Sequence, residues 1–149
     1  MKKTAKAPAN IAFLKYWGKA DEILRTPLND SFSMNMTGAF TITTVEFDEK
    51  YREDEVILLE GTFSEKETAR VIEGLNRIRE KAGILYKAKV VTKNSFPKGT
   101  GSAASASGFA ALAVAGFAAA NFPLSEKELT IEARLGSGSA CRSIPDRVS

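Results

Sequence analysis

Histidine is absent from the 149-residue sequence. That removes Ser-His-Asp and Cys-His nucleophilic catalysis from within this chain, together with His-ligated zinc. Cysteine occurs once, at Cys141, so no intrachain disulfide can form, as suits a reducing cytosol. Long apolar runs are missing too. None reaches the roughly 18 residues a membrane span needs, and the longest candidate, Phe109 to Ala120, is alanine-rich and reads as a buried helix. The start, Met1-Lys2-Lys3-Thr4, is positive but leads into no apolar stretch, so no signal peptide is expected. A cytoplasmic soluble domain is the default reading.

Charge of one sign is also scarce. Lys and Arg number 21 against 18 Asp and Glu, a net charge of +3. A nucleic-acid binder concentrates its basic residues on one face. Here the signs alternate, as at Ser64-Glu65-Lys66-Glu67, and the mild basic excess suits an anionic small molecule at least as well. What is present is a hydrophobic content of 44%, ordinary for a globular domain with its own core.

Lys3 to Phe13 is β-leaning but broken by Pro8, which predicts an edge strand. Ser31–Met36, Phe40–Phe47 and Val56–Leu59 read as further strands, the second rich in Thr, Ile and Val. The period then changes. Ser64 and Glu67 make a capping box, and Ala69, Ile72, Leu75, Ile78 and Ala82 recur at helical spacing up to the expected stop at Gly83. Tyr86–Thr92 reads as a strand, Ala103–Ala120 as a helix, and Ser125 with Glu128 caps a helix ending near Leu135-Gly136. The fold class is α+β, several strands followed by helices mixed with strands.

Three loops carry candidate chemistry. Pro97 to Gly108 joins a strand to a long helix through glycines, hydroxyls and small residues, as a phosphate cradle requires. It lacks the Gly-Lys-Ser/Thr ending of a Walker A loop, which argues against a P-loop nucleotide site, and a small-residue helix packed closely on a sheet reads equally well. Gly136-Ser137-Gly138-Ser139-Ala140-Cys141-Arg142-Ser143 could receive an oxyanion on backbone and hydroxyl donors backed by a guanidinium; its alternative is a turn with a surface arginine. In Lys15-Tyr16-Trp17-Gly18-Lys19 the lysines could meet a diphosphate, although by themselves the aromatics read first as packing.

Taken together, Asn10-Ile11-Ala12 to Lys19, Pro27-Leu28-Asn29-Asp30-Ser31-Phe32-Ser33, Ser107-Gly108-Phe109-Ala110-Ala111-Leu112 and Gly136 to Ser143 resemble diphosphomevalonate decarboxylases. These belong to the galactokinase, homoserine kinase, mevalonate kinase and phosphomevalonate kinase (GHMP) superfamily. The resemblance follows nearly the whole chain in order. It implies the N-terminal lobe of a two-lobed fold (ribosomal protein S5 domain 2-like), a mixed sheet covered by helices, spanning residues 1–149 and stopping before a C-terminal lobe. It further implies ATP and Mg²⁺ as cofactors, mevalonate 5-diphosphate or a relative as substrate, isopentenyl diphosphate as product in isoprenoid synthesis, and a homodimer at full length.

Carried over by motif, Lys15, Tyr16, Trp17, Gly18 and Lys19 would meet the substrate. Ser137, Gly138, Ser139, Ala140, Cys141 and Arg142 would hold its diphosphate and carboxylate end, and Arg70 would reach it from the preceding helix, its bland alternative being a solvated helix face. Gly99, Gly101, Ser102, Ser105, Ser107 and Gly108 would take the ATP phosphates, with Ser105 and Ser107 as the side-chain donors. Cys141, lacking a histidine partner, has no nucleophilic role. No metal ligand is assigned, and the catalytic aspartate is expected in the C-terminal lobe. Departures remain: where the family has Gly-Leu-Ala-Ser-Ser-Ala, this chain has Gly101-Ser102-Ala103-Ala104-Ser105-Ala106, which deletes a hydroxyl at Ala104 and adds one at Ser102. Arg147-Val148-Ser149 stands where the family continues with a glycine and a strand. A 3-hydroxyl kinase, a phosphomevalonate decarboxylase and a non-catalytic ligand-binding domain are the alternative functions.

Overall fold

The computed structural model describes residues 1–14, 21–24, 32–97 and 104–144. Among them a four-stranded sheet has the order β1-β2-β4-β3, built from β1 (Lys2–Leu14), β2 (Phe32–Asp48), β3 (Glu55–Leu58) and β4 (Lys87–Asn94). β1, β2 and β4 pair antiparallel, whereas β3 runs parallel to β4. A parallel neighbour needs a crossover, and α1 (Glu65–Ala82) supplies it. α2 (Ala104–Ala119), α3 (Glu126–Gly136) and a 3-10 turn (Ala140–Ser143) follow. The α+β class expected from the sequence is present.

Alternation of residue type decides the two faces of the sheet. Outward, Lys2, Glu46, Lys89 and Glu55 lie in one cross-strand row of alternating charge, with Lys89 Nζ 3.1 Å from Glu55 Oε2. Inward, Ala5, Val45, Phe47, Ala88 and Val90 join Val71, Leu75 and Ile78 of α1 and Leu112, Ala115 and Phe117 of α2 in the core. The alanine-rich α2 is buried almost all round, which explains its lack of a polar stripe. Its Gly116 lies so close to α1 that an added Cβ would meet Ile78 Cδ1 at 2.3 Å.

β1 is an edge strand, as Pro8 foretold, and its register against β2 shifts between Pro8 and Asn10. The two strands expected on either side of Gly38 are instead one, because that shift lets β2 carry extra residues through Gly38 without leaving the sheet. Both capping boxes are present, on Ser64/Glu67 and Ser125/Glu128, and Gly83 stops α1 in the left-handed region at φ 66°. The buried face of α1 differs by a fraction of a turn from the spacing argument: Val71 and Gly74 are inside, while Ala69 is exposed.

Candidate functional site

The turn after α3 is where sequence expectation and geometry meet. α3 ends at Gly136, and the chain continues through Ser137, Gly138 and Ser139 into the 3-10 turn bearing Cys141 and Arg142. Asn10 of β1 stitches this turn to the sheet. Its Nδ2 donates to Ser143 Oγ at 2.8 Å and to Ser139 O at 3.2 Å, and its Oδ1 accepts from Arg142 Nε at 3.3 Å. One buried carboxamide thereby fixes both a carbonyl and a hydroxyl of the turn and the plane of the guanidinium. Ser137 Oγ and Ser139 Oγ lie 3.4 Å apart, and Cys141 Sγ donates to Gly138 O at 3.2 Å. Burial pushes the Cys141 thiol above its ordinary pKa, outweighing the nearby Arg142 and Arg134 charges. Burial therefore favours the protonated thiol.

Arg70 reaches the same place from α1. Its Nη2 donates to Gly136 O at 2.6 Å, and its guanidinium carbon lies 4.7 Å from the Phe109 ring centroid. A cation at a helix C-terminus is favourable, and stacking on Phe109 holds the flat group in place. Arg70 is therefore no solvated helix-face residue. The packing has no room for a side chain at Gly136, where an added Cβ would come 2.4 Å from Phe109 Cδ1. Arg70, Ser137, Gly138, Ser139, Ala140, Cys141 and Arg142 thus form one neighbourhood, supported by β1, α1, α2, the end of α3 and the 3-10 turn.

The other expected group separates. Ser105 is exposed near the start of α2, beside the partly exposed Gly108. Ser107, expected as a phosphate donor, is fully buried, with its hydroxyl 2.7 Å from Thr41 Oγ1. One helical step of about 100° per residue puts positions two apart on different faces, so Ser105 and Ser107 cannot both face a ligand. Ser105 and Gly108 line an apolar cavity of about 90 Å³, together with Leu58, Arg70, Thr92 and Asn94. Lys15, Tyr16, Trp17, Gly18, Lys19, Gly99, Gly101 and Ser102, like Pro27 to Ser31 and the tail after Ile144, lie outside the described residues. Among the described residues no cluster of three or more His, Cys, Asp or Glu could hold a metal ion.

Asn10 escaped the sequence-based site list, as did Thr41 and Asn94. The available signal was an asparagine placed in an alanine-rich strand, where it is a poor β-former.

The α+β lobe thus carries an arginine-flanked hydroxyl turn after α3 and an apolar cavity at the start of the small-residue helix α2, with Arg70 touching both. The profile of the diphosphomevalonate decarboxylase-like N-terminal domain matches residues 7–149, and the chain belongs to that family. The diphosphomevalonate decarboxylase of Schizosaccharomyces pombe is 38% identical over 156 residues, covering 95% of this chain and 39% of that protein. The phosphomevalonate decarboxylase of Haloferax volcanii is 37% identical over 144 residues, covering 97% and 44%. The solved structure of the Enterococcus faecalis mevalonate diphosphate decarboxylase superposes with TM-score 0.91 at 46% identity, covering 99% of this chain and 46% of that one. A further solved structure, with the same TM-score and identity over 99% and 45%, is a complex with MVAPP, AMPPCP and magnesium. The chain spans about 40% of the length of the curated diphosphomevalonate decarboxylases it matches.

Proposed function

We propose that this chain provides the substrate- and nucleotide-binding lobe of an ATP-dependent decarboxylase that acts on mevalonate 5-diphosphate. The observation that carries the reading is the Asn10 clamp, which fixes the Ser139 carbonyl, the Ser143 hydroxyl and the Arg142 guanidinium of the turn after α3, with Arg70 bonded to Gly136 O at its border. A diphosphate or carboxylate matches such a surface, because charge-assisted bonds from a fixed guanidinium are strong and directional. The donors are held in place before the ligand arrives, so less ordering opposes binding.

The nucleotide would lie against the start of α2. The first turn of that helix carries no acidic residue, its Ser105 hydroxyl is exposed, and the adjoining apolar cavity offers a dry surface to a base. Magnesium fits as an ion held mainly by nucleotide phosphates, given the absence of an acidic cluster among the described residues; when bound it would neutralise charge on the transferring phosphoryl group.

The reaction is the transfer of the ATP γ-phosphoryl group to the tertiary 3-hydroxyl, with the hydroxyl proton passing to a base. The C3–O bond then breaks with its electron pair leaving on phosphate. The C1–C2 bond breaks to release CO₂, its pair becoming the new C=C bond of isopentenyl diphosphate. The described residues bind and orient the substrate's anionic groups in this scheme. The aspartate serving the hydroxyl is assigned to a C-terminal lobe. A cytosolic homodimer in isoprenoid synthesis is the corresponding setting.

The test is to incubate the protein expressed from its gene, its intact mass measured first, with ATP, Mg²⁺ and mevalonate 5-diphosphate. Equal release of ADP, phosphate and CO₂ is expected. ADP without CO₂ would make it a 3-hydroxyl kinase, and ligand binding without ADP a binding domain. The Haloferax volcanii relative favours one second reading, with mevalonate 5-phosphate as the substrate; turnover of that compound alone would establish it.

A further inference from the structure

One buried acid has no part in the site described above. Glu132 of α3 is 5% exposed, and its carboxylate meets Lys81 Nζ, in the last turn of α1, at 2.6 Å. Besides Arg77, its neighbours around a void of about 10 Å³ between the three helices include Ile78, Phe109, Leu112 and Phe117. An apolar side chain of the same length would suit such a place, since burying a carboxylate costs free energy that its ion pair at best roughly offsets. Stability alone therefore does not account for the acid.

Position along the neighbouring helix does. The buried face of α3 consists of Glu132, Ala133 and Gly136, and Leu129, one turn earlier, is only partly buried. Packed helices are held in register by ridges of side chains seated in grooves, and alanine and glycine supply almost none. Two polar ties to α1 take that role: Lys81 to Glu132, and Arg70 Nη2 to Gly136 O at 2.6 Å. Glu132 and Gly136 are one turn apart on the same face of α3, about 6 Å along its axis. Arg70 and Lys81 are three turns apart on one face of α1, about 16 Å along it. The two cations therefore close on a single turn of α3 from opposite ends, and sliding that turn in either direction stretches one tie as it slackens the other. Ser137 to Arg142 follow directly. We propose that Lys81 and Glu132 are positioning residues: their ion pair sets where α3 ends along α1, and so where the anion-binding turn is delivered to Asn10 and Arg70. This deepens the substrate reading and rests on it.

Cys141, the single cysteine, reports on the turn directly, because it is half-buried there and its Sγ donates to Gly138 O at 3.2 Å. The experiment takes the protein expressed from its gene and measures three things: the rate at which Cys141 reacts with an aromatic disulfide reagent, the affinity for mevalonate 5-diphosphate by calorimetric titration, and the urea midpoint. Lys81→Met with Glu132→Met replaces the pair by apolar chains of similar length. Its urea midpoint should equal or exceed the parent's. The Cys141 rate should nevertheless rise severalfold, and mevalonate 5-diphosphate should bind about tenfold more weakly, the scale of one well-aligned hydrogen bond. Lys81→Arg, which keeps the pair, should behave as the parent in both. If the double variant fails to fold, Glu132→Gln, uncharged and of the same shape, should show the same two changes. An unchanged Cys141 rate, a rate that rises only in proportion to a lower urea midpoint, or a faster rate with substrate affinity unchanged would overturn the positioning role. A parent that does not bind mevalonate 5-diphosphate, but in which the pair still governs the Cys141 rate, would instead sink the substrate reading and leave the tie standing.

Discussion

At the scale of single residues, two positions carry more than their size implies. Asn10 makes three hydrogen bonds with partners more than 125 residues away in sequence, Ser139, Arg142 and Ser143. Replacing it with alanine removes the bond to the buried Ser143 hydroxyl and one contact that orients the Arg142 guanidinium. Asn10→Ala should therefore lower stability by about 2 kcal/mol in urea denaturation, and weaken binding of inorganic diphosphate in the same protein. Unchanged affinity for diphosphate would separate the clamp from the anion site. Gly136 is the steric counterpart. Gly136→Ala drives a methyl group into the Phe109 ring at 2.4 Å, and that ring supports Arg70; a loss of about 1–3 kcal/mol is expected. Gly38→Ala, where nothing lies within 4 Å of the added carbon, is the control and should change little. The Arg142 and Gly136 motifs were visible in the sequence because they are contiguous. Asn10, Thr41 and Asn94 were not, since each matters through a partner brought near only by the sheet register and the docking of α2.

At the scale of elements, the β3-α1-β4 crossover depends on an ion pair that no local pattern announces. Arg79, in the last turn of α1, donates from Nη1 and Nη2 to the two oxygens of Asp54 at 2.9 and 2.8 Å, and Asp54 Oδ1 also accepts from Ala88 N at 2.9 Å. Burial pushes the Asp54 carboxyl up, but the Arg79 bonds and the Ala88 N–H outweigh it and hold it below the ordinary aspartate value. A carboxyl depressed in the folded state contributes stability that is fully present above its unfolded pKa of about 3.9 and fades as pH falls through the lower folded value. The parent should thus lose this contribution only below about pH 4. Asp54→Asn should be less stable at pH 7, and the gap between the two proteins should close as acid is added, as read from denaturation midpoints at several pH values. A gap that is constant with pH would refute the ionic account. Helices α1 and α3 were legible here because capping boxes and a left-handed glycine are local signals, and α2 because alanine-rich burial leaves a composition. The single strand β2 was read as two because a bulge opposite a bend is a property of the pair, not of either strand.

At the scale of the whole molecule, the apolar surface is unevenly spread. Beyond the register shift, the far ends of β1 and β2 expose Ile11, Phe13, Leu14, Phe32 and Met34, with Phe13 62% exposed and its ring centroid 5.9 Å from that of Phe32. The opposite end of β1 and β2 carries Lys2 and Glu46, which continue through Lys89 of β4 to Glu55 of β3 as a row of alternating charge. Contiguous exposed aromatics and aliphatics of this kind drive association, whereas interleaved charges oppose it. The 149-residue chain should therefore self-associate through the β1–β2 end, with a weight-average mass in sedimentation equilibrium that rises with concentration. Phe13→Lys with Phe32→Lys should return it to a monomer of 16.1 kDa, and the corresponding change at the charged end, Lys2→Ala, should not. Monomeric behaviour of the parent across the accessible concentration range would refute the association. Association that survives the double lysine variant would move it to another face.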